Sequence, residues 1–286
     1  MAIVKANAQA LRLRNGAVVR FPAVMGVLNV TPDSFSDGGS FLEPSRAIAH
    51  GLEMEAAGAA IIDIGGESSR PGAHAVSVET EMERVLPVIK GLVRRLTSPI
   101  SIDTRKATVA RAALEEGAAI VNDISGLQFD AAMLPTVAHA EAALVLMHMR
   151  GTPEVMTRLA RYRDVVAEVC AFLRRQSRRA IEAGVPPSRI IVDPGLGFAK
   201  NARHNLLLIG GLPRIRGLGY PVLIGASRKS FIKRIAGSTP SELLYGTAAI
   251  NALAIAAGAA IVRVHDPAPA VTVVRMAAAI AAASRT

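Results

Sequence analysis

Short apolar runs recur along the chain near 23–29, 59–64, 99–103, 118–122, 143–148, 190–193, 221–226 and 260–264. Each is followed by a stretch with helical spacing of its apolar positions, roughly 44–57, 79–96, 107–116, 130–139, 161–183, 202–216, 240–257 and 268–284. A run such as Ile190-Ile191-Val192 is too short for a helix and apolar on both faces, which predicts a strand buried between two layers. Eight such strands alternating with eight helices predict an α/β fold, a parallel sheet closed as a (β/α)8 TIM barrel. An open doubly wound sheet is the competing arrangement. Ahead of the repeat, Leu11 to Arg20 alternates apolar and basic residues around Asn15-Gly16. That pattern predicts an N-terminal β-hairpin over 11–20 with a two-residue turn, closing one end of the core. No change of composition divides the chain, so 1–286 is expected to form one domain.

The predicted strands end in polar residues: Asn29, Asp63, Asp103, Asn122 with Asp123, His148, Asp193, Ser227 with Arg228, and Arg263 with His265. A carboxylate at the end of a buried strand is unfavourable unless a cation or several N–H donors meet it. Taken alone, Asp193 before Pro194-Gly195 reads equally well as a turn cap. Eight polar ends in register predict an active site, because the C-terminal ends of the strands and the loops beyond them form one rim in such a barrel. Two loops over that rim, 31–40 and 65–73, combine glycine pairs with hydroxyls, and the second adds Arg70. They read as lids over a charged ligand. Ser227-Arg228-Lys229-Ser230 stands where a helix should begin, an anion site that charge alone assigns to a phosphate. It lacks the glycine spacing of a Walker loop, and Gly195-x-Gly197 lacks the third glycine of a dinucleotide fingerprint.

Composition narrows the reading. About half of the 286 residues are hydrophobic, enough for a large core. Cys170 is the single cysteine, so neither a disulfide framework nor a multi-cysteine metal site is expected. His148 and His265 are too few and too scattered for a zinc site, and His148 reads as a core histidine. Met1–Gln9 has no apolar core of the signal-peptide kind, and the Ala-rich Thr247–Val262 is too short and weak for a membrane span. A soluble cytoplasmic protein with no membrane partner is the expectation. The net charge of +10 invites a nucleic-acid reading. However, Arg158, Arg161, Arg163, Arg174, Arg175, Arg178 and Arg179 fall along one predicted helix whose apolar stripe is Val165, Val169, Phe172 and Leu173. They read as its wet face. No aromatic residues interleave with them as a stacking platform would require, so no nucleic-acid partner is expected. What remains is a field favourable to small anions.

With these residues in hand, the sequence is similar over nearly its whole length to the dihydropteroate synthase family of folate biosynthesis. The resembling segments are Gly26 through Gly39, Asp63 through Ala73, Ser101-Ile102-Asp103-Thr104, Asn122-Asp123-Ile124, Asp193 through Lys200, Ser227 through Ser230, and Arg263-Val264-His265-Asp266. The resemblance implies a transferase that condenses 6-hydroxymethyl-7,8-dihydropterin diphosphate with 4-aminobenzoate, giving 7,8-dihydropteroate and diphosphate, with Mg²⁺ required. It also implies a (β/α)8 barrel and a homodimer.

By the same resemblance Asp103, Asn122, Asp193 and Lys229 hold the pterin, with Met147 and Gly225 beside it. Asn29, Ser69, Arg70, Arg263 and His265 hold the diphosphate, with Asn29 as the Mg²⁺ ligand. Phe35, Ser69, Pro71, Phe198, Lys229 and Ser230 form the 4-aminobenzoate pocket, where sulfonamides would compete. Asp103, Lys229, Arg263 and Arg70 are the implied catalytic groups of an S_N1-like path. The resemblance revises the charge-only reading: the helix start at Lys229–Ser230 meets a carboxylate, and the diphosphate moves beside the first and eighth barrel strands. Two departures stand out. Ser69 occupies a position commonly Thr, and Pro267-Ala268-Pro269 follows Asp266, reading as a rigid helix start. The rival readings are a pterin-binding domain that passes a methyl group to a corrinoid protein, and a non-catalytic basic barrel that binds RNA or phosphate.

Overall fold

The structure is a computed structural model that describes residues 9–31 and 43–283. Strands β1 (Ala10–Arg12) and β2 (Val18–Arg20) pair antiparallel as a hairpin. The barrel strands follow as β3 (Ala23–Asn29), β4 (Ile61–Gly65), β5 (Ile100–Asp103), β6 (Ile120–Asp123), β7 (Ala143–Met147), β8 (Ile190–Asp193), β9 (Leu223–Ile224) and β10 (Ile261–Val264). They form one eight-stranded sheet in the order β8-β7-β6-β5-β4-β3-β10-β9. A parallel bridge between Val192 and Val222 joins the two end strands and nearly closes the ring. The (β/α)8 barrel with an N-terminal hairpin is therefore the fold, and the open doubly wound sheet is set aside.

The helices are α1 (Glu43–Ala56), α2 (Val78–Val93), α3 (Ala107–Glu115), α4 (Met133–His139), α5 (Val165–Glu182), α6 (Ala202–Gly210), α7 (Leu212–Arg216), α8 (Ser230–Ala236), α9 (Pro240–Ala256) and α10 (Pro267–Ala283). Three local expectations change. The stretch 202–216 divides into α6 and α7 around Gly211, because Pro213 lacks the N–H that a continuous helix needs. A short α8 precedes α9. The arginine-rich helix starts at Val165, where the Asp164 carboxylate accepts the Ala167 N–H at 2.9 Å. Arg158, Arg161 and Arg163 thus lie ahead of it. Arg174, Arg175, Arg178 and Arg179 do occupy its exposed face, opposite buried Val169, Phe172 and Leu173.

The hairpin turn also differs in detail. Leu13 N–H donates to Ala17 O, Gly16 N–H donates to Leu13 O, and Gly16 takes φ +84°. The loop is therefore the three residues Arg14-Asn15-Gly16, a type I turn ended by a left-handed glycine, and not the two-residue turn expected from Asn-Gly.

Period-two alternation builds the core in two layers. Outward residues such as Leu28, Ile64, Ile102, Leu146, Val192 and Val262 pack against the helices. Inward residues Met25, Ile61, Ile120, Val145, Ile191, Leu223 and Ile261 fill the N-terminal half of the barrel, where Leu11, Leu13 and Val19 of the hairpin plug the end. Two residues further along the same inward faces the side chains turn polar. Asp63 follows Ile61, Asn122 follows Ile120, Asp193 follows Ile191 and Arg263 follows Ile261. Among the described residues no helix is long and apolar enough to cross a membrane.

Candidate active site

Arg263 organises the rim. Its Nε donates to Asp63 Oδ2 at 2.6 Å and its Nη2 to Asp103 Oδ2 at 2.6 Å. Asn122 Nδ2 donates to the same Asp63 oxygen at 3.1 Å, which fixes the plane of its amide. Asp63 is wholly buried, and its Oδ1 has no hydrogen-bond partner among the described residues. Four strands thus present one linked cluster: β4, β5, β6 and β10. On the far side of the barrel Asp193 ends β8, and one of its oxygens accepts the Gly195 N–H at 2.7 Å. The turn-cap reading holds, and the carboxylate keeps lone pairs for a further partner. Gly195 is obligatory here: at φ +69° an added Cβ would lie 2.1 Å from His148 O.

The electrostatics follow from that enclosure. Burial pushes Asp193 up to about 6, opposed by the Gly195 N–H and by Lys229 and Arg263. Burial likewise raises Asp103, with Arg263 pulling the other way. Lys229 is drawn down to about 8 by burial and by Arg263, while Asp193 and Asp103 favour its charge. Its ammonium lies 4.1 Å from the centroid of the Phe198 ring. Burial, then Arg263, Arg228 and Lys229, draw His265 down to about 3, so the ring is neutral at physiological pH. Ser227 Oγ accepts the His265 backbone N–H at 3.2 Å and lies 3.0 Å from Nδ1. The assignment that also satisfies the buried hydroxyl proton has it donated to Nδ1, which leaves the ring N–H on Nε2.

A cavity of about 580 Å³ opens over this cluster. Asn29, Ser69, Arg70, Pro71, Phe198, Gly225, Lys229, Ser230, Arg263 and His265 all line it. Asp103, Asn122 and Asp193 are not among the lining residues: Asp103 is bonded to Arg263 of the wall, Asn122 joins Arg263 through Asp63, and the charges of Asp193 and Asp103 act on Lys229. Met147 pairs in register with Asp193 and packs with Phe198 and Met156. Phe35 and the first lid loop from residue 32 onward lie outside the described residues. A larger open groove, about 1150 Å³, lies at the opposite end of the barrel beside Arg14, Arg111 and His139. The rim cavity is the functional candidate because titratable groups with displaced pKa values converge there.

Two polar strand ends stand apart from the cavity. Asp123 points to the outer face of β6, where its oxygens accept from Ser125 N–H, Ser125 O–H and Leu127 N–H at 2.6–2.8 Å. His148 is a core histidine, edge-on to Phe172 at 4.8 Å, with Nδ1 2.9 Å from Lys200 Nζ. Asp63, by contrast, received no role on sequence grounds. Its parity with Ile61, two residues before it, was the signal that placed it inside.

The donor set bears on Mg²⁺. Among the described residues no group of three His, Cys, Asp or Glu side chains stands ready for a metal. Asp63 and Asp103 are already paired with Arg263. The half-buried Asn29 offers one neutral amide oxygen to the cavity. That suits an ion which takes its other ligands from phosphate oxygens and water, as Mg²⁺ does, and it does not suit zinc.

The chain is similar to known proteins in both sequence and fold. The model of a family described as pterin binding enzyme matches residues 25–265. A dihydropteroate synthase of Synechocystis sp. is 50% identical over 244 residues, 85% of this chain and 84% of that protein. The structure of a Xanthomonas albilineans dihydropteroate synthase with 4-aminobenzoic acid superposes with a TM-score of 0.89 at 43% identity, covering 96% of this chain and 98% of that one. A structure of the Xanthomonas enzyme in complex with 7,8-dihydropteroate gives 0.86 at 40% identity, covering 95% and 98%.

Proposed function

This chain belongs to the dihydropteroate synthase family of pterin-binding enzymes, and from that premise we infer that it is a transferase. It joins 6-hydroxymethyl-7,8-dihydropterin diphosphate to 4-aminobenzoate, releasing diphosphate and forming 7,8-dihydropteroate. The observation that carries this reading is the convergence of Asp103, Asn122 and Arg263, linked through Asp63, under a cavity walled by Lys229 and Phe198. A corrinoid methyltransferase has no use for Ser69, Arg70 and Ser227–Ser230 on that wall, and the relatives are synthases.

The chemistry fits the residues in three parts. A pterin offers an edge of N–H donors, which the Asp193 carboxylate accepts side by side, while Asn122 and Lys229 bind the rest of the polar ring. As the methylene C–O bond breaks, negative charge gathers on the departing diphosphate. Arg263, Arg70 and the Nε2–H of His265, with Ser69 and Asn29, are the donors that stabilise it in an enclosed site. Mg²⁺ held by Asn29 supplies further neutralisation of the diphosphate when bound. Asp103 stands beside the ring to stabilise the cationic methylene. The aromatic amine then forms the C–N bond and loses a proton to solvent, which explains why no Ser–His–Asp arrangement is needed. The 4-aminobenzoate ring lies against Phe198 and Pro71 (with Phe35 from the first lid loop), its carboxylate toward Lys229–Ser230. Ser69 keeps the hydroxyl of the usual Thr but lacks the methyl that would pack on the 4-aminobenzoate, a difference that bears on sulfonamide affinity.

A homodimer is part of the proposal. Tyr245 and Leu253 on α9 and Met276 and Ile280 on α10 are exposed, and these two helices pack against each other. Large exposed apolar side chains on two adjacent helices suit a subunit interface. A buried, unpaired Cys170 suits the cytoplasm. Incubation with the pterin diphosphate, 4-aminobenzoate and Mg²⁺, followed by detection of dihydropteroate, tests the reaction; no product from folded protein would end the reading. Sedimentation at micromolar concentration tests the dimer, and a monomer there would remove it.

A further inference from the structure

Glu67 opens the second loop, two residues before Ser69, and its side chain is 9% exposed. Oε1 accepts from Arg105 Nε at 2.9 Å and Nη2 at 2.8 Å. Oε2 accepts from Lys106 Nζ at 2.5 Å and from the Val76 N–H at 3.2 Å. Lys106 Nζ also donates to Glu81 Oε2 at 2.5 Å, and Glu81 is 1% exposed. Arg84 donates to Gly66 O at 2.8 Å, one residue before Glu67. The Arg105 guanidinium lies 4.1 Å from the centroid of the Phe129 ring. Two cations and two carboxylates are therefore packed together with water almost excluded, and none of the four lines the cavity.

Stability alone does not account for such a cluster. Desolvating four charges offsets most of their mutual attraction, and apolar groups of similar volume would hold the core as well. What the charges add is direction. The Val76 N–H on Glu67 ties the end of the loop to its beginning, and within the intervening span 68–75 the Gly72 N–H donates to Pro153 O at 3.0 Å. Arg105 and Lys106 follow Asp103 by two and three residues, so the segment that carries Asp103 also grips the loop's base. The three elements that meet at Glu67 are the β4–α2 loop, α2 and the β5–α3 link. Against the pull of burial, Lys106 and Arg105 hold the Glu67 carboxyl below its usual range, so it stays charged.

We propose that Glu67 is a positioning residue. Together with Arg105, Lys106 and Glu81 it locks the base of the second loop to the end of β5 and thereby sets Ser69, Arg70 and Pro71 over the cavity. The proposal rests on the reading that these three residues meet 4-aminobenzoate and diphosphate, and it extends that reading to a cluster outside the cavity. A merely structural cluster would support the fold without steering the substrate.

The test is Glu67→Gln, with steady-state kinetics, thermal melting and amide hydrogen exchange on the full chain. The expected result is a KM for 4-aminobenzoate raised about tenfold or more, while affinity for a pterin lacking the diphosphate stays within about twofold and exchange quickens across 68–75. A lower melting temperature with unchanged KM would overturn the proposal. Glu67→Asp keeps the charge but shortens the reach by one methylene, and it serves where Glu67→Gln does not fold. Its KM is expected to rise in the same direction, and a wild-type KM would overturn the proposal. Exchange across 68–75 decides the clamp even if the wild-type protein forms no dihydropteroate, an outcome that sinks the proposed reaction alone. Unchanged exchange in the variant removes the clamp.

Discussion

The two ends of the barrel are built from the same strands, on the same inward faces, and both are buried, yet they solve burial in opposite ways. At the N-terminal end Ile61, Ile120, Ile191 and Ile261 pack with Leu11, Leu13 and Val19 of the hairpin. Two residues on, the same strands offer Asp63, Asn122, Asp193 and Arg263. The lower end is complete in itself. The upper end is satisfied in part by its own members and retains Asp63 Oδ1 without a partner among the described residues, and a Lys229 and an Asp193 displaced toward their neutral forms. The difference teaches where stability comes from and where it is given up. Apolar filling holds the ring shut, and the polar end spends part of that margin on charges oriented for a ligand.

The sharpest way to break this division is Arg263→Ala. It leaves wholly buried Asp63 and nearly buried Asp103 without their cation, a loss of about 3–5 kcal/mol, and it removes diphosphate stabilisation worth about 10²–10³ in kcat. A thermal melt beside the dihydropteroate assay checks both; a wild-type melting temperature would show that the rim is not held by that pairing. Leu11→Ala tests the other end. It is expected to lower stability by about 2–5 kcal/mol with kcat and KM unchanged, and a shifted KM would mean that the two ends are not independent.

Asp103→Asn sharpens the comparison within the rim. A drop in kcat of about 10² with much smaller loss of pterin affinity is expected if the carboxylate meets the developing cation, whereas equal losses would indicate ring positioning alone. Acid titration comes next. Asp193 sits at about 6 in the free protein, and the pterin N–H edge needs its ionised form. Pterin affinity should therefore hold above pH 6 and fall about tenfold per pH unit below it. Isothermal titration across pH 5–8 reads this directly, and a flat profile would contradict it. The folding term has its own sign: a carboxyl raised by burial contributes stability below its unfolded pKa that is lost as pH rises through about 6. The smallest effect belongs to Arg228→Gln, which breaks the largely exposed pair with Asp266 at 2.6 Å. A change of at most about 1 kcal/mol, vanishing in high salt, is expected in a melt.

Much of this site was legible along the chain because strand ends can be read locally. Asp103, Asn122, Asp193 and Arg263 stand where their apolar runs turn polar, and Lys229 stands at the helix start that follows Ser227-Arg228. Parity is legible too: counting in twos from Ile61 places Asp63 inside, and counting from Ile120 places Asn122 inside and Asp123 outside. Other features had no local signal. The shortness of β9, two residues long, follows from how the sheet closes, since Val222 bridges to Val192 and leaves little further ladder. The division of α6 from α7 was signalled by Gly211 and Pro213, but the apolar period ran through them.

By itself the sequence determined the eight strands, the hairpin, the end of each strand at which the chemistry sits and the family pattern, because burial period and turn chemistry are properties of neighbouring residues. Only the tertiary structure decided which polar ends meet. Closing the ring makes β10 a neighbour of β3 and sends Arg263 across to Asp63, 200 residues earlier in the chain. Pairing of β4 with β5 brings Arg105 and Lys106 onto Glu67, 38 and 39 residues away. Charges choose partners by distance in space and by exclusion of water, and neither quantity exists until the chain has folded.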